Sequence, residues 1–127
     1  MNKNILKLFY YFSLIILIII YIYPGSIIGK ILYGDFAIQP NILDHSVGTS
    51  LNHFFAFLYI TLLGGIIQYK AKRLNKFILF IIIFSIILEF FHFFIPNRSF
   101  QILDLVSNIF GIIIGYLSLN LILILKK

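Results

Sequence analysis

The 127-residue sequence contains no cysteine and few charged residues. Without cysteine, the chain has no disulfide, no thiolate metal ligand and no thiol nucleophile, which excludes redox chemistry and catalysis at cysteine. Asp, Glu, Lys and Arg make up 11% of the residues, whereas hydrophobic residues make up 61%. Because a soluble domain of this size needs a charged surface, this composition indicates a protein that is solvated by lipid.

Acidic residues are especially scarce, with four Asp and Glu against ten Lys and Arg and a formal net charge of +6. An excess of positive charge can indicate nucleic-acid binding. Here, however, the basic residues flank long apolar runs, as they do in membrane proteins with basic cytoplasmic loops. The sequence therefore predicts membrane lipids as partners and no nucleic acid.

The sequence contains four long apolar runs, at residues 5–23, 51–69, 77–95 and 102–125. Segments with more polar residues separate them. A helix of about 20 residues crosses the hydrocarbon core of a bilayer, and each run has about that length. We therefore predict an all-α fold, an integral membrane four-helix bundle, formed by a single domain over residues 1–127. The first run resembles a signal peptide but lacks the small residues of a cleavage site, so we interpret it as a retained helix.

The connection between the first two spans, residues 24–50, is the longest segment that does not span. It is punctuated by glycine and proline, with apolar residues between them. Backbone at membrane depth must satisfy its own hydrogen bonds, so we predict a short interfacial or re-entrant helix over residues 26–33.

The distribution of charge predicts the orientation of the four spans. Eight of the ten basic residues lie on one side of a four-span arrangement, namely Lys3, Lys7, Lys70, Lys72, Arg73, Lys76, Lys126 and Lys127. The positive-inside rule makes that side cytoplasmic, with both termini inside. All four acidic residues then belong to the extracytoplasmic half, namely Asp35, Asp44, Glu89 and Asp104. We expect a multi-pass protein of the bacterial cytoplasmic membrane.

Polar residues within the spans fall on defined helix faces. At about 100° per residue, one face of the third span carries Ser85, Glu89 and His92, and a stripe on the fourth carries Asp104, Ser107, Asn108, Gly111, Gly115 and Ser118. Small residues let helices approach closely, so Gly64, Gly111 and Gly115 are predicted packing positions.

Ionisable side chains in a bilayer cost about 2.5–3.5 kcal/mol and need a partner or a cavity. We predict one outward-facing pocket formed by His53, Glu89, His92, Arg98, Asp104 and Asn108.

Several interpretations of these residues remain open from the sequence. Glu89 with Arg98 or His92 would form a structural buried ion pair, and Asp104 would stabilise a helix N-terminus. A zinc site of His53, Glu89 and His92 is chemically feasible, although we favour neither a metal nor a cofactor. A membrane enzyme would use Glu89 or His92 as the general acid or base on a lipid-linked substrate. The sequence contains no Walker loop, HExxH motif or serine-hydrolase elbow.

The spacing of the polar residues also resembles a known family. In order, the chain contains His53, then Glu89-Phe90-Phe91-His92, Pro96-Asn97-Arg98-Ser99, Asp104, Asn108, Gly111 and Gly115. This series, from His53 to Tyr116, resembles the VanZ-like family of bacterial membrane proteins, which has Glu-x-x-Gln, Pro-x-Arg-Ser, Asp and Asn-x-x-Gly-x-x-x-Gly. Two positions depart from that pattern: His92 replaces the glutamine, and Thr49-Ser50 replaces an Asp-Lys pair ahead of the histidine.

The resemblance implies a role in the cell envelope, because the family is named for a protein of glycopeptide (teicoplanin) resistance. Our leading hypothesis is that the outward pocket binds a lipid-linked or cell-wall component, or a glycopeptide. Arg98 would face a phosphate, which Glu89, Asp104 and Asn108 would orient. The alternatives are the membrane enzyme described above and a structural or assembly protein whose polar cluster only joins the helices.

The predicted orientation can be tested by cysteine labelling, for which the cysteine-free chain is a ready background. We expect a membrane-impermeant maleimide to label a Ser99→Cys variant in intact cells, because residue 99 is predicted to lie outside. An Asn75→Cys variant should react only after the membrane is permeabilised. Labelling of residue 75 from outside would show that the orientation is the reverse of the predicted one.

Overall fold

The computed structural model describes residues 3–41, 48–70 and 73–125, and every regular element in them is a helix. These helices are α1 (Lys3–Ile22), α2 (Ile27–Tyr33), α3 (Gly48–Lys70), α4 (Leu74–Phe91) and α5 (Ile102–Ile124). The four longer ones, α1, α3, α4 and α5, are long and apolar enough to cross a membrane. The predicted all-α fold with four spans is therefore confirmed, while the orientation stays a prediction.

The end of α4 differs from the predicted third span, which extends to residue 95. The helix ends at Phe91, and tighter turns follow, in which His92 N–H donates to Glu89 O and Phe93 N–H donates to Phe90 O. The proline that follows residue 95 disfavours helical backbone there. Glu89 consequently lies in the last turn of α4 rather than deep below the connection to α5.

The closest helix packing joins α3 to α5. A Cβ atom on Gly111 of α5 would collide with the carbonyl oxygen of Phe54 and lie 3.0 Å from Leu58 N on α3. One turn further along, a Cβ on Gly115 would lie 2.9 Å from the Thr61 methyl group. The two backbones therefore touch where small residues permit it, as in many membrane helix pairs.

The remaining spans complete a core around this pair. Fully buried apolar side chains come from α3, α4 and α5, including Phe57, Ile60, Ile81 and Ile112. Helix α1 contributes two tyrosines to the interior, Tyr10 and Tyr21. Large apolar side chains cover the outside of the spans, which is the expected arrangement of a protein surrounded by lipid.

The segment after α1 folds back over the ends of α1 and α3. Its short helix α2, which was predicted over residues 26–33, is present, and Ser26 Oγ caps it by accepting the Gly29 N–H at 2.8 Å. Ser26 N–H donates to Phe36 O at 2.8 Å, and the Asn52 amide of α3 donates to Pro40 O at 2.6 Å. The two bonds of Ser26 order the segment internally, and the bond from Asn52 holds it against α3. Among the predicted charged positions, Asp44, Lys72, Lys126 and Lys127 lie outside the described residues.

The α3–α5 contact generates a stability prediction. Gly111→Ala should destabilise the protein by about 1–3 kcal/mol, because its new methyl group meets rigid α3 backbone. Gly65→Ala is the matched control, since its methyl group meets the Leu119 and Leu74 side chains, whose ends can move, and no backbone atom is among its nearest contacts. Unfolding of both variants by denaturing detergent would measure the difference. Equal stability of the two variants would contradict the proposed backbone contact.

Candidate functional site

The centre of the polar cluster is Tyr21, which lies near the end of α1 and is 6% exposed. Its hydroxyl donates to Asn108 Oδ1 of α5 at 2.8 Å and lies 2.7 Å from His53 Nδ1 of α3. The phenol ring stacks on the His92 imidazole with a centroid separation of 5.6 Å. A single side chain of α1 therefore joins residues of α3 and α5 and the residue that caps the end of α4.

Asp104 contacts two residues in the N-terminal part of α3. Its Oδ1 accepts a hydrogen bond from Ser50 Oγ at 2.6 Å, and its Oδ2 lies 3.5 Å from His53 Nε2. Asp104 lies in the first turn of α5, where the positive end of the helix dipole also favours a carboxylate. The carboxylate thus has partners on α3 as well as a favourable position on its own helix.

Glu89 is fully buried and connects the end of α4 to the start of α5. Its Oε1 accepts the Gln101 N–H at 3.2 Å and lies 3.2 Å from His92 Nδ1. Its other oxygen, Oε2, has no hydrogen-bond partner among the described residues and lies 3.7 Å from His53 Nδ1. Glu89 therefore faces both histidines while it orders the connection between the two helices.

Arg98 binds the C-terminal end of α1. Its Nη2 donates to Ile20 O at 3.0 Å and its Nε donates to Tyr23 O at 3.4 Å, while His92 Nε2 lies 3.2 Å from the intervening carbonyl of Tyr21. Carbonyls at a helix end lack partners within the helix, and basic side chains there satisfy them. Arg98 and His92 therefore fix the end of α1 against the α4–α5 connection.

Burial and the neighbouring side chains shift the pKa of Arg98 in opposite directions. Burial lowers the pKa of its guanidinium, and the nearby Tyr21, Glu89 and Asp104 oppose that shift. The guanidinium remains charged under all physiological conditions. No carboxylate of the described residues lies within ion-pair distance of it.

A cavity of about 150 Å³ lies between α1, α3 and the two connections. The apolar residues that line it are Leu17, Ile20, Ile28 and Ala56. The polar side chains and the remaining residues of its wall are Tyr21, Ser26, Gln39, Pro40, Thr49, Asn52, His53, His92 and Arg98. The lining of the cavity thus combines apolar side chains with one cation and two imidazoles.

The structure brings all six predicted site residues into one region, but in two layers. His53, His92 and Arg98 line the cavity. Glu89, Asp104 and Asn108 lie behind them, in contact with His53, His92 or Tyr21. In the described part of the chain, no group of three or more His, Cys, Asp or Glu side chains has a geometry that could hold a metal ion. The zinc interpretation of His53, Glu89 and His92 thus gains no support.

Two residues of this network, Tyr21 and Ser50, are missing from the sequence-based site. Tyrosine is common at the ends of membrane spans, so Tyr21 carried no distinguishing signal. Ser50 occupies a position where the chain departs from the family pattern, and the sequence gives no pairing for it. The structure shows that Ser50 is 1% exposed and is a partner of Asp104.

Comparison with known families gives an assignment that agrees with this geometry. The family model described as VanZ/LLP1 matches residues 6–124. The chain belongs to the VanZ/LLP1 family. The predicted VanZ-like relationship is therefore confirmed, and the match includes α1, which carries Tyr21. A search among curated proteins and a search among solved structures each found no match. The family match and the four apolar spans together show a VanZ-like multi-pass membrane protein.

Because Tyr21 lies at the centre of the polar network, we expect removal of its hydroxyl group to destabilise this VanZ/LLP1 protein. Tyr21→Phe should lower the free energy of unfolding by about 1–3 kcal/mol, because Asn108 and His53 lose a buried partner. Tyr59→Phe is the matched control: its hydroxyl contacts Ser13 at an exposed site, so the loss should stay within about 0.5 kcal/mol. Detergent unfolding of both variants measures the effect. Similar losses would show that the Tyr21 hydroxyl is unimportant.

Proposed function

We propose that this VanZ/LLP1 protein binds the phosphate-bearing headgroup of a cell-envelope lipid or lipid-linked precursor in the cavity beside Arg98. The observation that carries this proposal is the guanidinium on the cavity wall. Its Nη2 and Nε donate to the carbonyls of Ile20 and Tyr23 at the end of α1 and just after it, whereas Nη1 has no partner among the described residues. The guanidinium is thus held in place with donor capacity left for an anion.

The chemistry of arginine supports a phosphate as that anion. A guanidinium forms strong, charge-assisted hydrogen bonds with phosphate oxygens, and its planar shape adds specificity. Since Arg98 has no carboxylate at ion-pair distance among the described residues, an incoming anion does not have to displace one. Gln39, Asn52 and Thr49 offer further polar groups in the cavity lining.

The apolar residues of the cavity lining support an amphiphile as the ligand. Leu17, Ile20, Ile28 and Ala56 suit a hydrocarbon chain that adjoins the headgroup. The cavity volume of about 150 Å³ is smaller than the roughly 300–1,000 Å³ typical of sites for drug-sized ligands. It therefore favours a lipid headgroup over an entire glycopeptide. In this proposal the cavity opens to the outer face of a bacterial cytoplasmic membrane, and any effect on glycopeptide (teicoplanin) resistance acts through the bound envelope component.

Binding accounts for the histidines better than catalysis does. A general acid or base needs a nitrogen within hydrogen-bond reach of the substrate. His92 Nδ1 and Nε2 contact Glu89 and the Tyr21 carbonyl, and His53 faces Tyr21 and Asp104 with its two nitrogens. Both imidazoles therefore have protein partners on both sides, which favours positioning of the wall over proton transfer to a substrate.

The proposal predicts the effect of removing the guanidinium. In detergent micelles, Arg98→Gln should weaken binding of dihexanoyl phosphatidylglycerol by about 10- to 100-fold, as expected for the loss of charge-assisted hydrogen bonds. Arg73→Gln is the matched control, because Arg73 is exposed and lies at the opposite end of α4. Isothermal titration calorimetry would measure both, with the zwitterionic dihexanoyl phosphatidylcholine as a control lipid.

Further variants and ligands distinguish lipid binding from the structural interpretation. Arg98→Lys keeps the charge without the fork geometry and should bind with intermediate affinity. Inorganic phosphate should compete weakly, because it lacks the hydrocarbon chain. A wild-type protein that binds neither lipid nor phosphate saturably would refute the proposal. If Arg98→Gln and Glu89→Gln both disappear from the membrane, the purely structural interpretation is favoured instead.

A further inference from the structure

The polar network constrains where protons lie, beginning with His92 and Glu89. A carbonyl oxygen only accepts, so His92 Nε2, 3.2 Å from Tyr21 O, carries a hydrogen. Glu89 Oε1 accepts the Gln101 N–H and lies 3.2 Å from His92 Nδ1. One proton therefore lies between Nδ1 and Oε1, either on nitrogen as an ion pair or on oxygen as a neutral pair. In both arrangements the pair has no net charge.

His53 differs from His92 because its Nδ1 is not restricted to one protonation state by the group that it faces. Nδ1 lies 2.7 Å from the Tyr21 hydroxyl, which can donate or accept, and Nε2 lies 3.5 Å from Asp104 Oδ2. When both nitrogens carry hydrogens, Nδ1 donates to the Tyr21 oxygen and Nε2 faces the carboxylate. His53 can therefore hold a second proton without moving.

Tyr21 and Asn108 can adapt to both states of His53. With His53 doubly protonated, the Tyr21 hydroxyl donates to Asn108 Oδ1, as observed. With His53 neutral and its hydrogen on Nε2, the hydroxyl donates to Nδ1 instead. Asn108 Nδ2, which is buried and has no partner among the described residues, would then donate to the Tyr21 oxygen after rotation of the amide. The two hydrogen bonds that join His53, Tyr21 and Asn108 can thus exchange donor and acceptor.

Titratable or charged groups face His53 from every neighbouring span and from the connection between α4 and α5. They are Tyr21 on α1, Glu89 and His92 at the end of α4, Arg98 in the connection and Asp104 on α5. The Glu89–His92 pair is neutral, and the charges of Arg98 and Asp104 cancel. With His53 neutral, the cluster therefore carries no net charge, and an added monoanion would leave one uncompensated negative charge in a poorly solvated site.

We infer that His53 is a proton-binding site coupled to the cavity, so that an anionic headgroup binds together with one proton. The inference rests on the proposed function and adds a second ligand to it. With His53 protonated, the cluster carries one positive charge, which a monoanionic phosphodiester neutralises. The proton comes from solvent and adds to the second imidazole nitrogen, and no covalent bond of the ligand changes.

The sign of the pH dependence follows from this coupling. The anion stabilises protonated His53, so binding is tightest at low pH and weakens as the pH rises past the point where the free protein loses this proton. One linked proton limits the change to about tenfold in affinity per pH unit. A phosphodiester keeps a single negative charge throughout the neutral range, so the ligand itself contributes no slope.

The test is calorimetric titration of the full chain with dihexanoyl phosphatidylglycerol at pH 6, 7 and 8, in buffers with different ionisation enthalpies. Comparison of the buffers counts the protons taken up on binding. In the wild type we expect uptake that rises towards one proton at pH 8. His53→Gln keeps an amide in place of the imidazole and should bind without proton uptake, whereas His92→Gln should retain the uptake.

The outcomes separate this inference from the proposed function. Saturable binding with no proton uptake in the wild type would overturn the inference and leave the lipid-binding function intact. Proton uptake that is lost in His92→Gln but retained in His53→Gln would also overturn it, by assigning the proton to the Glu89–His92 pair. Absence of saturable binding at every pH would refute both. Since the proton count in the wild type needs no variant, a His53→Gln protein that fails to fold does not prevent the test.

Discussion

The structure depends on one constraint: polar groups within a bilayer must find their partners inside the protein. The chain satisfies this constraint at one end of the bundle, where Tyr21 joins His53, His92 and Asn108. The carbonyls at the end of α1 are satisfied there by Arg98 and His92. Because each partner comes from a different element, the same bonds that satisfy the buried groups also fix the relative positions of all four spans.

This arrangement gives several residues both a structural and a chemical part. Arg98 orders the end of α1 and at the same time presents a cation to the cavity. The close contact of α3 and α5 at Gly111 brings Ser50 and His53 to Asp104. A ligand site built from such residues is preorganised, because ordering its side chains is part of folding rather than a cost of binding.

Much of the fold could be predicted because its determinants are local. The length and composition of each apolar run indicated a span, and the helical period placed Asp104 and Asn108 on one face of the last helix. The end of α4 could not be predicted from hydropathy, since residues 92–95 are as apolar as the helix before them, apart from His92. Its position depends on the turn that Pro96 imposes and on the bond from Gln101 to Glu89.

The sequence by itself determined that the chain is an all-α membrane protein of four spans, with scarce polar residues concentrated towards one end. Only the tertiary structure decided which of them meet. It placed Tyr21 at the centre of the network, left Glu89 and Asp104 behind the imidazoles, and exposed Arg98 to the cavity. The reason is physical: periodicity fixes the face of a helix on which a residue lies, whereas its partner depends on how closely and at what height neighbouring helices pack.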